Sequence, residues 1–88
     1  MMIVWDEPKR QANLLKHGLD FADLDETFFD NAVVRPTHSG RWRGIGMGAH
    51  GVIAVVFFAL GVEAISVISM RPASRQERKF YAESKEEP

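Results

Sequence analysis

The sequence predicts an α+β domain, in which an antiparallel β-sheet is packed with two N-terminal helices and a C-terminal helix. Three observations lead to that class. Helix punctuation fills the first third, with Asp6 and Asp20 as caps and Gly18 as a stop. Between residues 32 and 70, apolar segments of strand length alternate with turns marked by proline and glycine. A charged stretch at helical spacing, from Arg71 to Tyr81, then follows. The resulting element order is β-α-α-β-β-β-β-α.

Ile3, Val4 and Trp5 read as a short strand. Asp6 then caps a helix with Glu7 and Pro8 in its first turn, where an acid and a proline are favoured. That helix runs to His17, with Leu14 and Leu15 expected to face inward and Gly18 supplying a left-handed end. A second helix is expected from Asp20, its apolar stripe formed by Phe21, Leu24 and Phe28 with Phe29 alongside. Residues 32–35 read as a strand stopped at Pro36, and residues 37–40 as a loop. Residues 41–48 form the next strand, although Gly44, Gly46 and Gly48 weaken it. A hairpin turn over 48–51 leads to residues 52–60, apolar throughout, as expected of a strand covered on both faces. The chain turns again over 60–63 into a last strand at 64–70. Pro72 suits the first position of the closing helix, which Ala73 and Phe80 anchor. Residues 84–88 read as a frayed tail, leaving 1–83 as a single domain.

The bulk properties narrow the classes of function. With 88 residues the chain makes one small domain, and 45% hydrophobic content is enough to give it a core. It has no cysteine, hence no disulfide framework and no thiolate metal site, which fits a cytoplasmic setting. The start lacks the charged and apolar regions of a signal peptide, and the longest apolar run, nine residues, is far short of a membrane span. No membrane partner is expected. The net charge is −1, yet charge is segregated: five of twelve acids lie between Asp20 and Asp30, and four of eleven bases between Arg71 and Lys79. Arg35, Arg41 and Arg43 form a middle basic group. If these groups map to different faces, one face would suit phosphate and the other a basic partner.

On a helix, Arg71, Arg75 and Arg78 fall at i, i+4 and i+7, in one stripe, with Glu77 and Tyr81 paired beside it. Planar, permanently charged guanidinium groups match phosphate, so this stripe is a candidate RNA site. Its plain alternative is a solvated basic face.

Trp5-Asp6, Lys9, Asn13, Lys16-His17-Gly18 and Phe21 at the start, with Ile68-Ser69-Met70-Arg71-Pro72-Ala73-Ser74-Arg75-Gln76-Glu77-Arg78 and Tyr81 at the end, resemble the BrnT toxins. The resemblance covers residues 3–82, and both signatures stand in order and at the family's spacing. It implies a RelE-like fold and a ribonuclease toxin of a type II toxin–antitoxin system that inhibits translation. It also implies a BrnA-like antitoxin partner with a ribbon-helix-helix domain, through which alone the toxin would reach DNA. Ser66 departs from the family, which often has an arginine there.

RNA cleavage without a metal needs a base for the 2′-hydroxyl, an acid for the leaving 5′-oxygen and cations for the phosphorane-like charge. No acidic cluster has metal-ligand spacing, so no metal or other cofactor is expected. Arg71 and Arg75 are the candidates for phosphate charge. His17, whose imidazole titrates near neutral pH, Glu77 and Tyr81 are the candidates for proton transfer. Lys16, Arg41, Arg43 and Arg78 extend the RNA-binding surface. Each has a structural alternative: His17 can satisfy carbonyls at its helix end, Glu77 can hold an arginine in place, and Tyr81 can pack. Two other functions stay open: a non-catalytic module that binds an antitoxin and modulates its DNA binding, which Ser66 and the apolar residues 57–62 favour, and plain RNA binding.

Overall fold

Strand β1 (Met2–Trp5) takes an edge position in a five-stranded sheet of order β1-β5-β4-β3-β2, in a computed structural model that describes residues 1–86. β2 (Val33–Pro36), β3 (Trp42–Gly48), β4 (Gly51–Leu60) and β5 (Ala64–Pro72) are antiparallel neighbours in the sheet. β1 pairs with β5 in parallel, from Met2 opposite Ala64 to Trp5 opposite Val67, so the sheet is mixed rather than wholly antiparallel. A parallel pair needs a long crossover, and the whole intervening chain provides it.

Helices α1 (Glu7–His17) and α2 (Glu26–Asn31) cover one face of the sheet, while α3 (Arg75–Lys85) lies on the other. The core forms on the first face, where Phe21, Leu24 and Phe28 meet Ile53, Val55, Phe57, Val67 and Met70. The sheet register brings these residues to one side. Val55 lies opposite Met70 and Phe57 opposite Val67, with a bulge between the two pairs.

Four further expectations are corrected. The expected second helix is two short pieces, a 3₁₀ turn at Phe21–Asp23 and then α2. Two carboxylates explain the break: Asp20 accepts from the Ala22 N–H and Asp25 from the Phe28 N–H, so each starts its own turn. The three aromatic and aliphatic residues expected inside still reach the core. Leu14 and Leu15 do not face inward; they are 37% and 90% exposed. The inner stripe of α1 is instead polar, with buried Asn13 flanked by half-buried Arg10 and His17. Arg71 and Pro72 belong to β5, and α3 starts only after Ser74, whose side chain and Glu77 form a reciprocal capping box. Ser84 and Lys85, expected in a frayed tail, are helical; the rest of that tail beyond Glu86 lies outside the described residues. No helix of the described residues is long and apolar enough to cross a membrane.

The glycines that weakened the β3 expectation have a packing reason. α2 lies so close over β3 that a Cβ on Gly46 would sit 2.9 Å from Phe28 Cε1 and 3.3 Å from Ala32 Cβ. Gly46→Ala is therefore expected to destabilise the domain by about 1–3 kcal/mol through overpacking. Urea unfolding of the variant beside the wild type checks this; an unchanged midpoint would mean that α2 can lift off the sheet at no cost.

Candidate nucleic-acid interface

Arginines separated in sequence converge on the sheet face that carries α3. Arg35 on β2 lies opposite Arg43 on β3, Arg43 opposite Val56 on β4, and Val56 opposite Ser69 on β5. In the adjacent row Ala54 pairs with Arg71, and on the far side Phe58 pairs with Ser66. Paired residues share a face, so Arg35, Arg43, Arg71, Ser66 and Ser69 all project on one side. Arg41 joins them just before β3, its guanidinium carbon 5.5 Å from the Phe58 ring centroid. Arg35 stacks over Phe80 of α3 at 4.3 Å. These aromatic faces hold two cations in place without neutralising them.

Glu77 is the acidic centre of this face. Arg71 Nη1 donates to its Oε1 at 2.6 Å and Nη2 to its Oε2 at 3.0 Å, a two-pronged pair. Arg43 Nε stands 3.8 Å from the same Oε2. The Ser74 N–H also donates to Oε1, at 2.8 Å. The Arg71 hydrogen bonds, with that backbone donor, hold the Glu77 carboxyl down at about 2 against the upward push of burial. The same pairing raises Arg71 further above its ordinary range. Glu77 therefore stays ionised and fully engaged, which suits holding Arg71 in place rather than taking a proton. Among the described residues, the Nε atoms of Arg41 and Arg43 are buried with no hydrogen-bond partner.

The other candidates are divided between places. Arg75 is exposed in the first turn of α3, where a cation opposes the helix dipole. Arg78 Nη1 donates to the Ala73 carbonyl at 2.9 Å and so braces the turn between β5 and α3. Lys16 is exposed at the end of α1. His17 and Tyr81 both line a groove of about 950 Å³, which Met70, Pro72 and Lys85 also line. Arg71, Arg75 and Glu77 do not line it. The five candidate catalytic residues are thus in two groups on either side of the end of β5, joined by the strand itself: Met70 and Pro72 face the groove, and Arg71 between them faces the arginine cluster. Arg35 and Ser69 belong to the surface and were missed among the site candidates, because the β2–β3 pairing that aligns Arg35 with Arg43 has no local sequence signal.

The depressed Glu77 carboxyl sets a pH dependence. A group whose pKa is lower in the folded state contributes stability above its unfolded value and loses it as pH falls through its folded value. Between about 4.5 and about 2, therefore, the wild type is expected to lose more stability than Glu77→Gln. Unfolding midpoints of both proteins across that range test it, and parallel curves would remove Glu77 from the acid response.

The comparisons agree with this architecture. The family model described as "Ribonuclease toxin, BrnT, of type II toxin-antitoxin system" matches residues 5–77. The crystal structure of the Brucella abortus ribonuclease toxin BrnT is similar at a TM-score of 0.77 and 55% identity, covering 85% of this chain and 100% of that one. No curated protein matches the sequence. The mixed sheet with three helices is the fold of that structure, and the chain belongs to the BrnT family of type II toxin–antitoxin toxins.

Proposed function

We propose that this protein cleaves RNA, that its arginine-bearing sheet face binds the RNA backbone, and that cleavage inhibits translation. The observation that carries the reading is the gathering of Arg35, Arg41, Arg43 and Arg71 from different segments onto one face around the Glu77 carboxylate. That excess of fixed positive charge is costly to the fold unless it serves an anion. Its family membership supports a ribonuclease activity.

In this reading the scissile phosphate sits against Arg71, with Arg43 and exposed Arg75 adding charge, and Lys16 and Arg78 lie at the margins. The 2′-oxygen attacks phosphorus, the bond to the 5′-oxygen breaks, and a cyclic phosphate and a free 5′-hydroxyl result. The guanidinium groups stabilise the extra negative charge as the phosphorus becomes five-coordinate. His17 and Tyr81, which line the groove on the other side of the β5 end, are the candidates for moving the 2′-hydroxyl and 5′-oxygen protons. Glu77 orients Arg71. The proposed route uses no metal ion. The partner is a BrnA-like ribbon-helix-helix antitoxin, which neutralises the toxin and carries the contact with DNA.

A second reading is favoured by Ser66, which leaves a neutral side chain on the arginine face, and by Glu77, which occupies both terminal nitrogens of Arg71. In it the domain is a non-catalytic module that binds the antitoxin and modulates its DNA binding. Induction of the wild type beside Arg71→Ala/Arg75→Ala at equal abundance separates the two. Growth arrest with RNA decay in the wild type alone is expected, and the purified protein should keep cleaving in EDTA. Each lost arginine should lower cleavage about 10- to 100-fold, the equivalent of about 1.5–3 kcal/mol for a charged hydrogen bond. Intact RNA and normal growth with folded wild type would leave the non-catalytic module.

A further inference from the structure

The edge of β5 carries an unusual join. β1 pairs with β5 only as far as Trp5 opposite Val67, yet β5 runs on to Pro72. On the side that β1 has left, the backbone of residues 68–72 has no neighbouring strand. There the Asn13 side chain stands in for one. Its Oδ1 accepts from the Met70 N–H at 3.1 Å, across 57 residues of sequence, and its Nδ2 donates to the Leu19 carbonyl at 3.1 Å. Asn13 is the polar side chain among the buried residues of the described chain. It ties together α1, the segment after it and the last part of β5.

The residue after Met70 is Arg71. Its guanidinium meets Glu77 in a geometry that tolerates little movement, and a misplacement of about 1 Å at a reacting centre can cost roughly 100-fold in rate. We infer that Asn13 is a positioning residue for Arg71, replacing the missing strand partner at Met70 so that the end of β5 presents Arg71 to Glu77 and to phosphate. The inference rests on reading Arg71 as the phosphate-binding group. Asparagine suits the task because it offers an acceptor and a donor on one short planar group. Aspartate keeps the acceptor toward Met70 but sets an oxygen against the Leu19 carbonyl. Leucine fills similar space and satisfies neither backbone group.

The test is Asn13→Asp in two backgrounds, wild type and Arg71→Ala, with kcat for cleavage of an RNA oligonucleotide and the Glu77 titration by carbon NMR. Asn13→Ser, short and neutral, goes through the same measurements and decides the matter if the aspartate variant does not fold. In the wild-type background kcat is expected to fall tenfold or more, while in Arg71→Ala the same change costs less than twofold. The Glu77 pKa is expected to rise from about 2 toward its ordinary value of 4.5 as the Arg71 pair loosens. Equal losses in both backgrounds, or an unmoved Glu77 in a folded variant, would overturn the inference and leave Asn13 a general stabiliser. If the wild type cleaves no RNA, the functional proposal fails, and the Glu77 titration alone still decides whether Asn13 places Arg71.

Discussion

The bulge between β4 and β5 is the constraint on which the two faces of the sheet depend. In a regular strand, side chains alternate, so residues three apart point to opposite sides. Val67 and Met70 are three apart, yet both are buried among Phe21, Phe28 and Val55, at 1% and 3% exposure. The register shift next to Val56 and Phe57 takes up one residue of β5 and allows this. The same shift puts Ser66 and Arg71, five apart, on the face opposite the core. Without it, and with Val67 still buried, Met70 would leave the core and Arg71 would have to enter it. A buried unpaired guanidinium costs several kcal/mol, so core packing and placement of Arg71 are decided by one feature.

Polar groups then fix what the bulge makes possible. Glu77 completes the capping box of α3 while also holding Arg71, so the helix start and the arginine orientation depend on the same carboxylate. Asn13 restrains the strand one residue earlier from the other side of the sheet. On the core side, Arg10 bridges Glu7 and Asp20, its Nη1 lying 3.0 Å from both Asp20 oxygens. That clamp ties the start of α1 to the cap of the following turn. It is solvent-accessible, and its value lies in geometry more than in energy. α1 thus meets the rest of the protein mainly through directional contacts, which define its angle more sharply than a greasy stripe would.

Much of the fold was legible because local signals agreed with one another. The apolar run in β4, the left-handed Gly18 and the two hairpin turns each match a single physical cause, and the chain has few rival solutions there. Failures came where two signals competed. Pro72 fits a first helical position, while Ser74 and Glu77 spell a capping box; the box prevailed because it satisfies two backbone N–H groups, whereas Pro72 can end a strand equally well. Leu14 and Leu15 looked like an inward stripe, but the interior of that helix is set by the partners available to Asn13 and Arg10. The site was less legible than the fold. Arg71, Arg75 and Glu77 were visible as a charged group, but their division between strand and helix depends on β5 continuing past the end of β1. Arg35 and Arg43 become neighbours only through strand pairing, which sequence spacing does not encode.

The electrostatics of the finished surface follow from that assembly. Two of its arginines rest on aromatic rings and one is held by Glu77, so their positive ends are fixed before any ligand arrives. Fixed charges need no reorganisation when an anion binds, and this is how a small domain can concentrate charge usefully. Glu77 has to remain ionised for the arrangement to persist, because a neutral acid would release Arg71 and leave the cluster with its mutual repulsion unopposed. A phosphate approaching Arg71 consequently meets a competitor already in place. On the proposed RNA-binding reading it succeeds only by engaging several arginines at once, which favours an extended polyanion over a single free anion.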